Sequence, residues 1–234
     1  MSARWSTTAL LFLNALAMCP AYAQDAKKPP GHPVAIATPS GQATPNNTGV
    51  GGQRLTKQQV DAVQKVSLYF NQLTTLKGTF VQTSADNKRL RGKFYIKRPG
   101  LFRFDYALPS KLVIVSDGKY VAIQDHDLGT DDRWDLEYTP FRMLLRKDVD
   151  LLRDAIFFDV LETVDAIAIS VVEKGATESS RINLVLAKLP NLQIKEWTAR
   201  DAQGLDTRIV LGELAKSDDV DPALFNPALT QRSR

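Results

Sequence analysis

The chain has 234 residues, of which 44% are apolar and 24% charged, and it carries a formal net charge of +4. This balance excludes the charge-rich, apolar-poor composition of disordered chains. One Cys and two His exclude an intramolecular disulfide framework, a multi-thiolate zinc site and a His-rich metal centre. At about 100–200 residues per domain, the length accommodates one domain with a tail.

Arg4 is the only charge in the first 23 residues, and it precedes the apolar run from Ala9 to Met18 and the small-x-small triplet Ala21-Tyr22-Ala23. A positive end, about ten apolar residues and an A-x-A site form the pattern of a secretory signal cleaved after Ala23. The run is too short for a membrane span, which needs about 20 residues. Leu16-Ala17-Met18-Cys19 offers lipidation at Cys19 as the alternative, against which Met18 is not the small residue such a site favours. Residues 1–23 are therefore read as a signal peptide and the mature chain as a soluble protein outside the cytoplasm. An exported chain meets no nucleic acid, so its positive charge is not read as a DNA-binding footprint.

Residues 24–53 are rich in Pro and Gly, from Pro29-Pro30 to Gly51-Gly52, with few large apolar groups. Such a segment buries too little surface to offset the entropy of ordering it, and reads as a disordered tether with a solvated His32. The folded domain then spans 54–234. Thr56 followed by Gln59 fits a capping box. Val60, Val63, Val66, Tyr69, Phe70, Leu73 and Leu76 then recur at helical spacing, which predicts one amphipathic helix of about 20 residues ending before Gly78.

From Thr79 the period changes to two. Phe94 and Ile96 share one strand face, and Phe102, Phe104 and Tyr106 share another, opposite Arg103 and Asp105. Residues 111–116 and 119–124 form a hairpin across Asp117-Gly118. Further strands are expected at 166–172, 181–186, 192–199 and 208–214, with a short helix at 140–146, where Phe141, Leu144 and Leu145 recur at i, i+3, i+4. No helices alternate regularly with these strands, so a parallel sheet is disfavoured. The expected fold is mainly β, a helix packed on an antiparallel meander curved into an open barrel.

Catalytic motifs are missing from this pattern. Asp125-His126-Asp127 offers a His between carboxylates, but adjacent strand residues point to opposite faces, and the stretch reads as a polar loop. A P-loop, a G-x-G-x-x-G and an H-E-x-x-H are all absent from the sequence. No metal, cofactor or enzymatic activity is expected.

Two features remain. Arg98 shares the parity of Phe94 and Ile96, which aims a guanidinium at an apolar face, where it is costly unless hydrogen-bonded. The alternative is a rim residue, snorkelling or paired with a carboxylate where the strand ends at Pro99. Phe80, Phe94, Phe102, Phe104, Tyr106 and Tyr120 crowd the first strands, and a curved sheet capped by a helix can enclose an apolar pocket or a filled core.

Gly78-Thr79-Phe80-Val81-Gln82, the K-R-P-x-x-F-R-F run from Lys97 to Phe104, the V-S-D-G-K run from Val115 to Lys119, and Thr139-Pro140-Phe141 resemble the periplasmic outer-membrane lipoprotein carrier family of LolA type, in order and approximate spacing. The resemblance is specific from about Leu55 to Arg146. It implies an incomplete antiparallel barrel of about 11 strands, lidded by short helices over a cavity for acyl chains. It makes Arg98 a latch that holds the lid shut. Phe80, Phe94, Ile96, Phe102, Phe104, Tyr106, Val113, Val115 and Phe141 are the expected cavity residues. The implied partners are acylated lipoproteins, an ATP-driven inner-membrane ABC-type releasing complex and an outer-membrane acceptor, met by a monomeric carrier. A carrier for another lipid, a lipidated receptor and a hydrolase using His126 are the competing readings. Two departures stand out: few aromatics at residues 121–124, and unusual charge from Arg146 to Asp154.

Overall fold

A computed structural model describes residues 54–139, 141–176, 180–200, 204–216 and 220–230. The signal peptide, Cys19, the tether and His32 lie outside the described residues.

The described chain opens with helix α1, Lys57–Gln72. Its start is the expected capping box: the Gln59 amide donates to Thr56 Oγ1 at 3.3 Å, and the Thr56 amide donates to Gln59 Oε1 at 2.9 Å. Ala62, Val63, Val66, Tyr69 and Phe70 form its buried stripe. The helix stops four residues earlier than the apolar spacing suggests, because Leu73 already takes an extended backbone and Leu76 belongs to the first strand. Leu73 and Leu76 are buried on either reading, so helical spacing alone cannot place the boundary. The β-branched pair Thr74-Thr75 favours the strand.

Eleven strands follow: β1 Thr75–Thr83, β2 Arg89–Lys97, β3 Leu101–Tyr106, β4 Leu112–Asp117, β5 Tyr120–Asp125, β6 Thr130–Asp135, β7 Ala155–Glu162, β8 Ala166–Glu173, β9 Ile182–Ala187, β10 Gln193–Arg200 and β11 Asp206–Ala215. They form one antiparallel sheet in the order β6-β5-β4-β3-β2-β1-β11-β10-β9-β8-β7. Every neighbour is a neighbour in sequence except the β1–β11 pair, which joins the two halves. Gly78 is not a helix stop but a close-approach point in that seam. A Cβ there would lie 2.6 Å from the Gly212 carbonyl oxygen, beside the register shift between Lys77 and Thr79.

Strands β6 and β7, the two sheet edges, were not expected from the alternation. In β6 only Trp134 is apolar among Asp131, Asp132, Arg133 and Asp135, the charged composition by which an edge resists further pairing. In β7 a bulge between Phe157 and Asp159 breaks the period of two. Between these strands lie a 3₁₀ turn, Leu136–Tyr138, and two one-turn helices, α2 Arg142–Leu145 and α3 Leu151–Asp154.

The sheet is strongly curled. Phe104 on β3 and Trp197 on β10 are four strand steps apart, about 19 Å on a flat sheet, yet their ring centroids lie 6.1 Å apart. Helix α1 packs on α3 and β7 at the inner face, and the Ile194 amide of β10 donates to Tyr69 Oη at 3.2 Å. The outer face of β3 and β4 is covered by the C-terminal segment, a 3₁₀ turn Pro222–Phe225 and helix α4 Pro227–Thr230. Arg103 donates to the Leu224 carbonyl at 3.1 Å, and Gln124 to that of Pro227 at 3.1 Å. Among the described residues no helix is long and apolar enough to cross a membrane.

Candidate functional site: a covered apolar cavity

The curl leaves an internal space that side chains do not fill, a cavity of about 140 Å³. Phe70 of α1 and Leu73, just past its end, form one wall; Ile96, Phe102, Phe104, Ile114, Val121 and Ile123 line the β2–β5 side. Opposite them stand Leu184, Ile194, Trp197, Ala199, Thr207 and Ile209 of β9–β11, and Phe141, Leu144 and Leu145 cover the opening. The polar lining residues are Arg98, Thr139 and Thr207. The Thr139 hydroxyl is occupied, donating to the Leu136 carbonyl at 2.8 Å.

Of the residues expected in the cavity, Ile96, Phe102, Phe104 and Phe141 are in its wall, with Arg98 at its rim. Phe80, Phe94 and Tyr106 share the inner face but lie one layer deeper. Phe80 meets Phe104 edge-on at 5.2 Å and Tyr106 at 5.0 Å, and Phe94 stacks on Phe104 at 5.8 Å. These rings hold Phe104 in place beneath the cavity. The Tyr106 hydroxyl donates to Gln82 Oε1, and burial pushes its pKa well above the usual phenol value.

Val113 and Val115 are on the other face of the sheet. With Ala122 they make a separate small cluster, on the side of β4 that the C-terminal segment covers. Ile114 between them lines the cavity. Strand β4 is buried on both faces and its apolar run is continuous, so alternation carries no information about which residues face inward. Trp197, Leu144 and Leu145 are wall residues that the aromatic pattern of the first strands could not reveal. The i, i+3, i+4 spacing of Phe141, Leu144 and Leu145 was the available signal for the last two.

Arg98 follows the end of β2, where its amide donates to the Thr74 carbonyl at 2.8 Å. Its guanidinium reaches across the rim to the far side of the opening. It donates to the carbonyls of Arg146 and of Lys147, the latter at 3.5 Å, and to that of Leu73 at the end of α1 at 3.4 Å. Its Nε is buried without a hydrogen-bond partner among the described residues. Burial pushes the guanidinium below its ordinary pKa, and the Asp148 carboxylate opposes that shift. A second bond runs the same way, from the Gly100 amide to the Leu145 carbonyl at 3.0 Å. The β2–β3 turn thus grips the C-terminal end of α2 by its backbone, a contact independent of side-chain identity in the covering segment. Just downstream, Asn71 of α1 pins Val149 twice, donating to its carbonyl at 2.9 Å and accepting from its amide at 2.8 Å.

Asp125-His126-Asp127 forms a turn. The Asp125 carboxylate accepts from the Asp127 and Leu128 amides at 2.9 and 3.1 Å, and Asp127 pairs with Lys111 at 3.4 Å. Both carboxylates are committed to local structure. Among the described residues no group of three or more His, Cys, Asp or Glu is placed to hold a metal ion.

Residues 71–228 match the sequence model of a family described as outer membrane lipoprotein carrier protein LolA. The chain is 28% identical over 181 residues to the outer-membrane lipoprotein carrier protein of Halorhodospira halophila, covering 73% of this chain and 83% of that protein. A shorter match to the carrier of the same name from Neisseria gonorrhoeae is 38% identical over 73 residues, spanning 30% of this chain and 35% of that protein. Among solved structures, a LolA superfamily protein from Nitrosomonas europaea is 9% identical with a TM-score of 0.42, covering 75% of this chain and all of that one.

Proposed function

Because the chain belongs to the outer membrane lipoprotein carrier protein (LolA) family, we propose that its cavity shields the acyl chains of lipoproteins crossing the periplasm between two membranes. The observation that carries this reading is the cavity itself: an apolar space walled by α1 and the curled sheet, and covered by a short segment that two bonding groups, Arg98 and the Gly100 amide, hold by its backbone.

Each buried methylene is worth about 0.8 kcal/mol, so one long acyl chain exposed to water costs about 10 kcal/mol or more. A soluble carrier has to replace most of that burial and still let go. The present cavity is far smaller than such cargo needs. At about 140 Å³ it has room for about one benzene-sized guest. Loading therefore requires residues 141–147 to swing away as a lid, with Arg98 as its latch and Ile96, Phe102, Phe104 and Phe141 receiving the chains. Phe80, Phe94 and Tyr106 act from beneath.

The carrier does no chemistry on its cargo and needs no cofactor. It works as a monomer in the periplasm after cleavage behind Ala23. An inner-membrane ABC-type complex driven by ATP supplies the work of loading, and an outer-membrane acceptor takes the cargo. Organic extraction of protein purified from the periplasm, followed by mass spectrometry, tests the cargo class. Acylated lipoprotein N-termini are expected in the extract; a glycolipid or polyketide-linked lipid in their place would reassign the cargo, and no acyl material at all would remove the reading.

A further inference from the structure

The same alternation that brings Arg98 to the rim from β2 brings a carboxylate to it from the other half of the sheet. Ile167, Ile169 and Val171 are the fully buried inner face of β8, and Glu173, its last residue, shares their parity and is 7% exposed. A carboxylate in such a place is costly unless it is paired and hydrogen-bonded. Glu173 is paired twice, with each oxygen on a different arginine: Oε2 accepts from Arg142 Nε at 2.5 Å, and Oε1 from an Arg146 terminal nitrogen at 2.7 Å.

Arg142 and Arg146 are four residues apart and bracket the single turn of α2, so one buried carboxylate holds the covering helix at both ends. Arg146 is also the residue whose carbonyl accepts from Arg98. Its side chain is held from β8 while its backbone is held from the end of β2. The outer partners Glu137 on Arg142, at 2.6 Å, and Asp154 on Arg146, at 3.7 Å, extend this network onto the surface. The unusual charge around Arg146–Asp154 thereby acquires a role.

We propose that Glu173 is a positioning residue for the lid, a second fastener that acts through Arg142 and Arg146 and sets the Arg146 carbonyl within reach of Arg98. This rests on the reading of residues 141–147 as a lid. Opening then requires both rims to release, and loosening either one weakens the hold of the other.

Amide hydrogen exchange at Gly100 reports the closed lid directly, because that N–H donates to the Leu145 carbonyl. In Glu173→Gln, which keeps the shape but not the charge, Gly100 exchange should rise about tenfold, equivalent to about 1.4 kcal/mol. Amides of β8 and β9 should keep wild-type protection. Arg146→Gln, which leaves the Arg142–Glu173 pair in place, serves if Glu173→Gln does not fold, and should act in the same direction. Combined with Arg98→Leu, the effect of Glu173→Gln should be smaller than the product of the two single effects. Unchanged Gly100 exchange, full multiplicativity with Arg98→Leu, or a rise shared by all strand amides would each overturn the proposal. The readout needs no cargo, so its failure leaves the carrier reading standing, and failure to find bound lipid leaves this result standing.

Discussion

Arg98→Leu is expected to leave the fold intact and to raise the rate at which the cavity admits an apolar dye, such as N-phenyl-1-naphthylamine, by about 100-fold. The guanidinium donates to three backbone carbonyls, at Leu73, Arg146 and Lys147. Hydrogen bonds to charged groups are worth about 1.5–3 kcal/mol each. Losing about 3 kcal/mol of hold shifts the lid equilibrium about two decades. Leucine retains the packing of the arginine stem against the cavity wall and removes a buried, incompletely bonded charge, so thermal stability should change little. A latch that no longer closes also uncouples the lid from the cargo, and transfer of bound lipoprotein to acceptor membranes should fall with it. Wild-type dye kinetics and normal handover in this variant would contradict the latch.

Gly92→Ala is expected to be the most damaging small change in the sheet. A Cβ at this position would lie 2.1 Å from the Asp105 carbonyl oxygen and 2.7 Å from a ring carbon of Phe80. Neither neighbour can move freely. The carbonyl belongs to the paired strand β3, and the Phe80 ring is held between Phe104 and Tyr106. The cost should reach about 3 kcal/mol or more, lowering Tm by about 10 °C for a domain of this size. Urea unfolding should show a lower midpoint with an unchanged slope. A variant within about 0.5 kcal/mol of the wild type would mean that Phe80 does not lie against β2. The layer that supports the cavity floor would then be misplaced.

The residues explain which parts of this architecture can be read without coordinates. Thr56 and Gln59 announce α1 because a capping box is a local device, and Asp117-Gly118 announces a hairpin for the same reason. Gly118 takes the positive φ of 92° that the turn requires, while Asp117 Oδ1 accepts from the Lys119 and Tyr120 amides. Strands with one polar and one apolar face, such as β2 and β3, declare their inward residues, and Ile96, Phe102 and Phe104 are in the wall accordingly. Where the environment removes that contrast, the pattern fails. Strand β4 is buried on both sides, which hid the outward orientation of Val113 and Val115. The charged edge β6 and the bulged edge β7 offer no clean period of two.

Long-range relations are less legible still. Nothing local in Ile167-x-Ile169-x-Val171-x-Glu173 says that the carboxylate meets Arg142 and Arg146, although a charge closing an apolar alternation was the same signal that drew attention to Arg98. That parity argument aims Arg98 at the apolar face, but its hydrogen-bond acceptors are carbonyls of Leu73, Arg146 and Lys147, groups with no sequence signature. Curvature is equally hidden, since the contact of Phe104 with Trp197 depends on the β1–β11 seam, which joins the first strand of the sheet to the last.

Release of lipoproteins from spheroplasts tests the carrier function most directly. The purified protein, added to spheroplasts labelled during lipoprotein synthesis, should bring newly made outer-membrane lipoproteins into the supernatant as soluble complexes with this chain. Arg98→Leu should bind cargo there but fail to pass it to outer membranes. Lipoproteins that stay with the spheroplasts, however much carrier is supplied, would contradict the account.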